Sequence, residues 1–285
     1  MPELAAVNGR ISPIDEAKIS INDRGMVFGD GVYEVIASYR GRLFLFDEHL
    51  RRLRRSLDAI RMEYVEIEPI AEQMNYLFER AALPRAKVYL QITRGTAPRD
   101  HAFPVPTRGP NVIITVREVH EIDQAKLDRG VACITHRDIR WGRVDVKTTN
   151  LLPNCLAKQA ALDRGCFDAI FVSGEGIVRE ATSANLFAAK NGGLWTHPTD
   201  ERILGGITRA KLIELARPKG IEVREEKFDV DFLLGADEVF ITGTTTEVLP
   251  IINVDGRPIG GGKPGPLARR MLALLTEWLL MNVDS

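Results

Sequence analysis

Short runs of β-branched and aromatic residues alternate with helical stretches along the whole chain, and this alternation constrains the fold most. Val32 to Tyr39 is typical of a strand, and Arg40-Gly41 favours a turn into a returning strand from Arg42 to Phe46. Asp47 can cap a following helix, in which leucines recur at three and four residues. The pattern predicts an α+β fold.

The same pattern continues to the C-terminus. Further strands are predicted over Ala5–Val7, Ile11–Ile21, Lys87–Thr93, Asn111–Val116, Gly130–His136, Asp168–Val172, Asn185–Lys190, Gly193–His197, Ile221–Glu226 and Glu238–Thr242. Further helices are predicted over Pro69–Ala82, Leu151–Arg164, Thr208–Lys219 and Pro266–Met281. A charged segment near residue 120 interrupts the pattern. We therefore expect an N-terminal α+β domain over residues 1–120 and a C-terminal α+β domain over residues 121–285 that carries Lys147.

Composition narrows the function classes. The 285 residues are 45% hydrophobic, which excludes a disordered chain, and the net charge of -1 gives no electrostatic reason to expect nucleic acid or an anionic membrane as partner. No apolar run reaches the roughly 20 residues of a bilayer span, and the first ten residues lack a secretion signal. These features predict a cytoplasmic protein. The cysteines, Cys133, Cys155 and Cys166, are expected to be buried free thiols, with a nucleophilic cysteine as the alternative, and no metal site is expected.

Lys147 is the first candidate for chemistry. It lies between the apolar Val146 and the hydroxyl pair Thr148-Thr149, just before a predicted helix. A desolvated lysine has a lowered pKa, which frees its amine to attack a carbonyl and form a Schiff base. From these residues alone, a surface lysine that extends to solvent remains the alternative.

Two segments combine glycine with hydroxyl residues. Gly205-Gly206-Ile207-Thr208-Arg209 precedes a helix, whose first backbone amides can bind phosphate. The run from Thr242 to Glu247 ends a strand in clustered hydroxyls that suit the same anion. Either segment alone is also typical of a helix cap or a turn.

Two more segments offer charged side chains. Glu180, if buried beside a heteroaromatic nitrogen, would keep that nitrogen protonated, although a solvated turn residue is the alternative. Arg99 and His101 lie two residues apart after a proline, so both can point toward one carboxylate. A solvated basic loop is the alternative there.

The order of these segments resembles that of the class IV, or fold-type IV, pyridoxal-phosphate aminotransferases, and within them the D-amino-acid aminotransferases. The resemblance covers almost the whole chain. The matching stretches are Asp23-Arg24-Gly25, Phe28 to Glu34, Glu48-His49, Arg52-Leu53, Thr93 to His101, Lys147, Asn150-Leu151-Leu152, Ala157-Lys158-Gln159, Glu180 to Asn185, Gly206 to Arg209 and Thr244 to Glu247.

The resemblance implies two-domain fold-type IV architecture with pyridoxal 5'-phosphate between the domains of a homodimer. Lys147 would form the internal aldimine and shuttle the substrate proton, and Glu180 would face the pyridine nitrogen. The cofactor phosphate would lie among Arg52, Ile207, Thr208 and Thr244.

For the substrate, the resemblance implies a carboxylate clamp formed by Tyr33 with Arg99 and His101, the last two supplied by the partner subunit. The implied reaction is amino transfer between D-amino acids and 2-oxo acids, with D-alanine, D-glutamate, pyruvate and 2-oxoglutarate as the expected pool.

The sequence departs from that pattern at two places. Gly243 stands where D-amino-acid aminotransferases carry a serine beside the phosphate. Ala181 and Ala184 lie in a segment that is richer in serine in those enzymes, which leaves Thr182 and Ser183 as hydroxyl donors. Both departures bear on cofactor affinity more than on the reaction.

Other functions remain open from sequence. The nearest is another class IV transaminase, for branched-chain L-amino acids or (R)-amines. A lyase that releases pyruvate from aminodeoxychorismate is another alternative, and the retention of Lys147 and Glu180 disfavours a non-catalytic binding protein.

Overall fold

The computed structural model describes residues 3–119 and 122–283, which fall into two compact units. The first unit contains residues 3–119 together with 146–150, and the second contains 122–145 together with 151–283. The expected domain boundary between residues 120 and 121 lies outside the described residues. Lys147 was expected in the C-terminal domain, and this is wrong: it belongs to the first unit, because Thr148 forms a β-bridge with Val32 of that unit.

The first unit is an antiparallel sheet with two long helices. Its strands follow the order β2-β1-β6-β5-β3-β4. The elements are β1 (Leu4–Val7), β2 (Arg10–Pro13), α1 (Arg24–Phe28), β3 (Gly31–Tyr39), β4 (Arg42–Leu43), α2 (Phe46–Ala59), α3 (Glu68–Ala81), β5 (Ala86–Thr93) and β6 (Asn111–Glu118).

Alternation along β3 divides the two faces of this sheet. Val32 and Ile36 are fully buried in the core beneath α2 and α3, as are Leu53 and Leu77 of those helices. Tyr33 points to the opposite face and is half-buried. The core therefore fixes β3 and presents Tyr33 away from it.

The second unit contains a nine-stranded sheet. Its elements are α4 (Gln124–Arg129), β7 (Val131–Arg137), α5 (Leu152–Leu162), β8 (Asp168–Val172), β9 (Val178–Ala181), β10 (Asn185–Lys190), β11 (Gly193–Thr196), α6 (Ile207–Ala216), β12 (Val223–Glu225), α7 (Val230–Leu234), β13 (Glu238–Gly243), β14 (Glu247–Val254), β15 (Arg257–Pro258) and α8 (Pro266–Val283). Six of the strands form a ring in the order β10-β13-β14-β7-β8-β9, which closes where Glu180 pairs with Asn185.

The predicted α+β class is confirmed, and two local predictions are wrong. The strand predicted over Ile11–Ile21 ends at Pro13, and a short 3-10 helix over Ile14–Glu16 follows. Asp47 does not cap α2, because the helix begins at Phe46, after Leu45 in a left-handed conformation with φ of 47°. No helix in the described ranges is long and apolar enough to cross a membrane.

Candidate active site

Lys147 is held in place by pairing with β3. The Tyr33 amide donates to the Lys147 carbonyl at 2.9 Å, and the Lys147 amide donates to Ser56 Oγ of α2 at 3.2 Å. The half-buried lysine carries its Nζ 4.2 Å from the centroid of the Tyr33 ring. The backbone pairing therefore directs the amine toward the Tyr33 side of the sheet.

Tyr33 is itself braced by a second tyrosine. Its ring stacks on Tyr89 of β5 with 5.8 Å between centroids and 29° between planes. The Tyr89 hydroxyl donates to Gln91 Oε1 at 2.6 Å, and burial raises the pKa of Tyr89 to about 12. Tyr89 is therefore a neutral phenol at physiological pH, and it holds the Tyr33 ring by stacking.

Arg52 lies in a buried charged cluster with Glu34 and His49. Its Nε and Nη2 each donate to a different oxygen of Glu34 at 2.7 Å, and His49 Nδ1 lies 2.7 Å from Glu34 Oε2. Burial alone would raise the pKa of Glu34, but the charge of Arg52 and the hydrogen bonds from Arg52 and His49 outweigh it and lower this pKa to about 2. The bidentate contact fixes the plane of the Arg52 guanidinium.

His49 is the neutral member of this cluster. Burial lowers its pKa, and the positive charges of Arg52 and Lys147 act in the same direction. Because Nδ1 faces the ionised Glu34, we assign the ring proton to Nδ1. His49 Nε2 is buried and has no hydrogen-bond partner among the described residues.

Arg99 and His101 both lie against Phe28, at the end of α1. The Arg99 guanidinium is 5.3 Å from the Phe28 ring centroid, and the His101 ring is 5.4 Å from the same ring. Both side chains are exposed in the single chain. The structure therefore brings the two residues together around one ring and leaves their polar groups accessible.

Glu180 of β9 lies at the closure of the strand ring in the second unit and is buried. Arg140 Nη1 donates to its Oε1 at 2.5 Å, Asn185 Nδ2 donates to Oε2 at 2.9 Å, and the Leu204 amide lies 3.2 Å from Oε2. Burial raises the pKa of Glu180, although the charge of Arg140 opposes this. Glu180 is therefore a buried acceptor in a fixed orientation rather than a solvated turn residue.

Sequence reasoning missed Arg140 and Asn185, the residues that hold this carboxylate. Arg140 also donates to Asp138 Oδ2 at 2.8 Å, and Asp138 accepts from Arg179 at 2.5 Å. The Asp138-Ile139-Arg140 spacing was a signal, since residues two apart in extended chain share a side. The contact between Arg140 and Glu180, 40 residues apart, could not be predicted from the local sequence.

The start of α6 packs closely against the side chain of Asn185. Gly206 is the N-cap residue and no side chain caps the helix, so the first amides, including those of Ile207 and Thr208, have no intrahelical acceptor. An added Cβ on Gly206 would lie 1.9 Å from Asn185 Oδ1. Asn185 therefore connects the Glu180 carboxylate with the N-terminus of α6.

Thr244 lies in the turn between β13 and β14 and is half-buried. An added Cβ on the preceding Gly243 would lie 3.5 Å from the Ser183 carbonyl, which is ordinary contact, so the missing serine side chain is not excluded by packing. Gly243 thus lies beside the turn that joins Glu180 to Asn185. In the second unit, Glu180, the start of α6 and the Thr244 turn lie in one region.

These residues fit pyridoxal phosphate. Helix amides without an intrahelical acceptor, together with the hydroxyls of Thr208 and Thr244, suit a phosphate. The buried Glu180 carboxylate suits a protonated ring nitrogen. In the first unit, Lys147 supplies an amine and Arg52 a fixed guanidinium. Each unit therefore contributes residue types that suit this cofactor.

Comparisons with known proteins agree with this chemistry. D-alanine aminotransferase from Staphylococcus aureus (strain N315) is 41% identical over 93% of this chain and 94% of its own length. D-alanine aminotransferase from Bacillus licheniformis is 40% identical over 96% of each chain. A solved structure of the T.th. branched-chain amino acid aminotransferase with pyridoxamine 5'-phosphate superposes with a TM-score of 0.89 at 29% identity, covering 97% of this chain and 94% of that one.

The family model for amino-transferase class IV matches residues 31–254, which include Lys147, Glu180 and the start of α6. The match spans most of both units, and the relatives extend it over nearly the whole chain. The chain belongs to the class IV aminotransferase family.

Proposed function

We propose that this protein transfers amino groups between D-amino acids and 2-oxo acids with pyridoxal 5'-phosphate as cofactor. D-alanine and D-glutamate are the proposed donors, and pyruvate and 2-oxoglutarate the proposed acceptors. The observation that carries the proposal is the placement of Lys147, whose backbone pairs with β3 and whose amine lies over the Tyr33 ring. The D-alanine aminotransferase relatives support the D-configuration.

Each proposed site residue has a defined task. The cofactor, when bound, supplies an electron sink for the Cα carbanion. Lys147 Nζ binds the cofactor and moves the proton at the substrate Cα. Glu180 holds a proton on the pyridine nitrogen. Arg52, the amides and hydroxyl at the start of α6 (Ile207 and Thr208) and Thr244 bind the phosphate.

Tyr33, Arg99 and His101 hold the substrate carboxylate in this proposal. Both hands of an amino acid carry the same groups, so an enzyme selects between them by fixing the carboxylate while the Cα proton faces the base. A guanidinium and an imidazole on one loop provide the donors for such a clamp. The exposure of Arg99 and His101 in the single chain supports a role in the site of a second subunit, and we propose a homodimer as the working unit.

The proposed compartment is the cytoplasm. All three cysteines are free thiols, which suits a reducing compartment. Of these, only Cys133 is buried, so the expectation that all three are buried is wrong for Cys155 and Cys166.

The closest rival function is transamination of branched-chain L-amino acids. The solved branched-chain enzyme shares the fold at 29% identity, whereas the D-alanine aminotransferases share 40 to 41%. The higher identity favours D-amino acids. Transamination of (R)-amines and a lyase reaction on aminodeoxychorismate are the remaining alternatives, and release of pyruvate from aminodeoxychorismate in the absence of D-alanine identifies the lyase.

The decisive assay compares D-alanine with L-leucine as donor and 2-oxoglutarate as acceptor. We expect turnover with D-alanine and little with L-leucine, and Lys147→Ala should abolish both. Lys158→Ala is a matched control, because Lys158 lies on the helix that follows the site segment and contacts Asp168 at 3.5 Å. A preference of the wild type for L-leucine would replace the proposal with the branched-chain function.

Borohydride provides an independent check on the lysine. Reduction should fix the cofactor on the peptide that contains Lys147 and bleach its colour. A label on the Lys158 peptide instead would overturn the assignment of Lys147.

A further inference from the structure

Two buried arginines and a partly buried aspartate lie beneath the loop that carries Arg99 and His101. Arg24 Nε and Arg94 Nε both donate to Asp30 Oδ2, at 2.8 Å and 2.9 Å. Arg24 and Arg94 are each 3% exposed, so this is a core contact rather than a surface ion pair. We call Arg24, Asp30 and Arg94 the arginine hub.

Arg24, the first arm of the arginine hub, binds three consecutive carbonyl groups of the loop. Arg24 Nη1 donates to the carbonyl oxygens of Asp100 at 2.6 Å and Ala102 at 3.2 Å, and Nη2 donates to that of His101 at 3.3 Å. One guanidinium thus restrains the backbone on both sides of His101. A lysine ammonium at this position lacks the planar fork needed to reach these acceptors and Asp30 together.

Arg94, the second arm, connects the loop to the core of the first unit. Arg94 Nη2 donates to the Ile60 carbonyl at 2.6 Å and Nη1 to the Arg61 carbonyl at 3.2 Å, just after α2. The Arg94 guanidinium also lies 3.6 Å from the centroid of the Phe103 ring. The loop is therefore fixed at residue 94 and again at residues 100 to 103.

The net charge of the arginine hub explains why its arginines bind backbone carbonyl groups. Two guanidinium groups share one carboxylate, which leaves one net positive charge in a buried setting. Five backbone carbonyl oxygens accept from the two arginines and compensate that charge. The loop conformation and the burial of the charge therefore depend on each other.

The helix that contains Arg24 also supplies the ring that both clamp residues contact. Arg24 begins α1 and Phe28 ends it, with the Arg24 guanidinium 4.8 Å from the Phe28 ring centroid. Phe28 contacts both Arg99 and His101. The position of both clamp side chains is thus set by α1, through the backbone on one side and through the ring on the other.

We infer that Arg24, Asp30 and Arg94 are positioning residues that preorganise Arg99 and His101 for the substrate carboxylate. This inference rests on the proposed function, because it takes Arg99 and His101 as the carboxylate clamp. The hub residues do not touch substrate in this assignment. They act by holding the loop in the geometry that binds a carboxylate before substrate arrives.

The test compares holoenzymes that carry Arg24→Lys or Arg94→Lys with the wild type. Either substitution should raise the KM for D-alanine by about ten- to a hundredfold, because small misplacement of a clamp is costly. Hydrogen exchange in the peptide covering residues 99–103 should become faster. Arg94→Lys tests the same inference at the second arginine. If Arg24→Lys does not fold, the result with Arg94→Lys decides between the outcomes.

Arg54→Lys is the matched control. Arg54 also donates to loop carbonyl groups of the first unit, those of Glu63 at 3.3 Å and of Val65, but these lie in a different loop. We expect this variant to keep the KM for D-alanine and the exchange rate of the 99–103 peptide within about twofold of wild type.

A double-mutant comparison separates positioning from general stability. If the arginine hub acts through the clamp, Arg24→Lys should change kcat/KM by less than about twofold in an Arg99→Ala/His101→Ala background. An equal loss in both backgrounds, or an unchanged KM in Arg24→Lys and Arg94→Lys, would overturn the inference. If Arg99→Ala/His101→Ala itself leaves D-alanine kinetics unchanged, the proposed clamp is wrong, which is a separate failure.

Discussion

The Glu34 carboxylate is fully enclosed, yet it stays ionised because Arg52 binds both of its oxygens and His49 contacts one of them. Such a pair is weak evidence for net stability, since desolvation opposes the attraction. Its value in this protein lies in orientation: Arg52 cannot rotate away from the plane that Glu34 defines. Loss of the negative charge should therefore affect both folding and cofactor affinity.

We predict that stability falls as the pH drops through the titration of Glu34. Its pKa in the folded chain is about 2 against an ordinary 4.5, so the stabilisation is present above pH 4.5 and is lost as the pH falls from 4.5 toward 2. Urea unfolding at a series of pH values measures this. Glu34→Gln should be less stable at pH 7 by about 3 kcal/mol or more and should flatten the pH dependence in that window.

Glu72→Gln is the control for that series, because Glu72 is an exposed residue of α3 in the same unit. It should retain the wild-type pH dependence. An unchanged acid profile in Glu34→Gln would show that the Glu34 contacts do not contribute to it.

We predict that Glu180→Gln retains bound cofactor and turns over slowly. The amide cannot hold the pyridine nitrogen protonated, whereas the phosphate donors are untouched, so kcat for D-alanine should fall by roughly a hundredfold or more. Absorbance of the bound cofactor and steady-state kinetics measure the two parts. Glu222→Gln, which alters an exposed ion pair with Arg224, serves as control. Near-normal turnover in Glu180→Gln would leave Glu180 with a structural role only.

Sequence reasoning reached the residues whose chemistry is visible locally and missed those that act through distant partners. Lys147 could be singled out because an apolar residue and two hydroxyls flank it. Arg24 could not, because its role depends on carbonyl groups about 76 to 78 residues away. A guanidinium that binds backbone leaves no pattern in the residues it binds, since every residue has a carbonyl group.

Among the elements, the N-terminus of α6 depends most on a single position. Gly206 ends an extended segment and begins the helix, and the side chain of Asn185 occupies the space where a Cβ would stand. Asn185 also donates to Glu180 and to the Leu204 carbonyl at 2.8 Å. A change at this helix start is therefore transmitted to the carboxylate.

We predict that Gly206→Ala lowers both cofactor affinity and kcat, because the new methyl group must displace Asn185 from Glu180. Gly205→Ala is the matched control: its Cβ would meet only Thr199 Cγ2 at 3.4 Å. Spectroscopic titration with pyridoxal phosphate measures affinity, and we expect a loss of about tenfold or more for Gly206→Ala alone. Equal behaviour of the two variants would contradict the steric role of Gly206.

Three long elements, β5, β6 and α3, could be predicted because their periodicity extends over many residues, whereas the eight-residue strand β14 was not predicted. The pattern of β5 and β6 and the apolar face of α3 each fix an element to within one or two residues. The five-residue helices α1 and α7 were not predicted, since fewer than two helical turns show no measurable hydrophobic period. The start of α2 was misjudged because its entry depends on the left-handed conformation of Leu45.

At the scale of the whole molecule, the proposed dimer can be tested by complementation. If Arg99 of one subunit serves Lys147 of the other, mixing the Arg99→Ala and Lys147→Ala variants creates dimers with one intact site. Random exchange of subunits should then restore about a quarter of wild-type activity. Sedimentation should show the active species at twice the 31.8 kDa chain mass.

The control for complementation is a mixture of Lys147→Ala with wild type, which fixes the activity expected from dilution alone. Activity that stays at the level of the separate variants after exchange would mean that Arg99 and Lys147 act within one chain, or that the clamp lies elsewhere.

The segment Val146–Asn150 has a consequence for the order of synthesis on the ribosome. Val146 is buried in the core of the first unit, and Lys147 and Thr148 pair with β3, yet these residues follow a stretch that belongs to the second unit. The first unit therefore cannot be completed until residue 150 has emerged, long after β6 has been made. Recombination between related genes meets the same constraint. An exchange near residue 120 would take β3 from one parent and Val146–Asn150, which include Lys147, from the other.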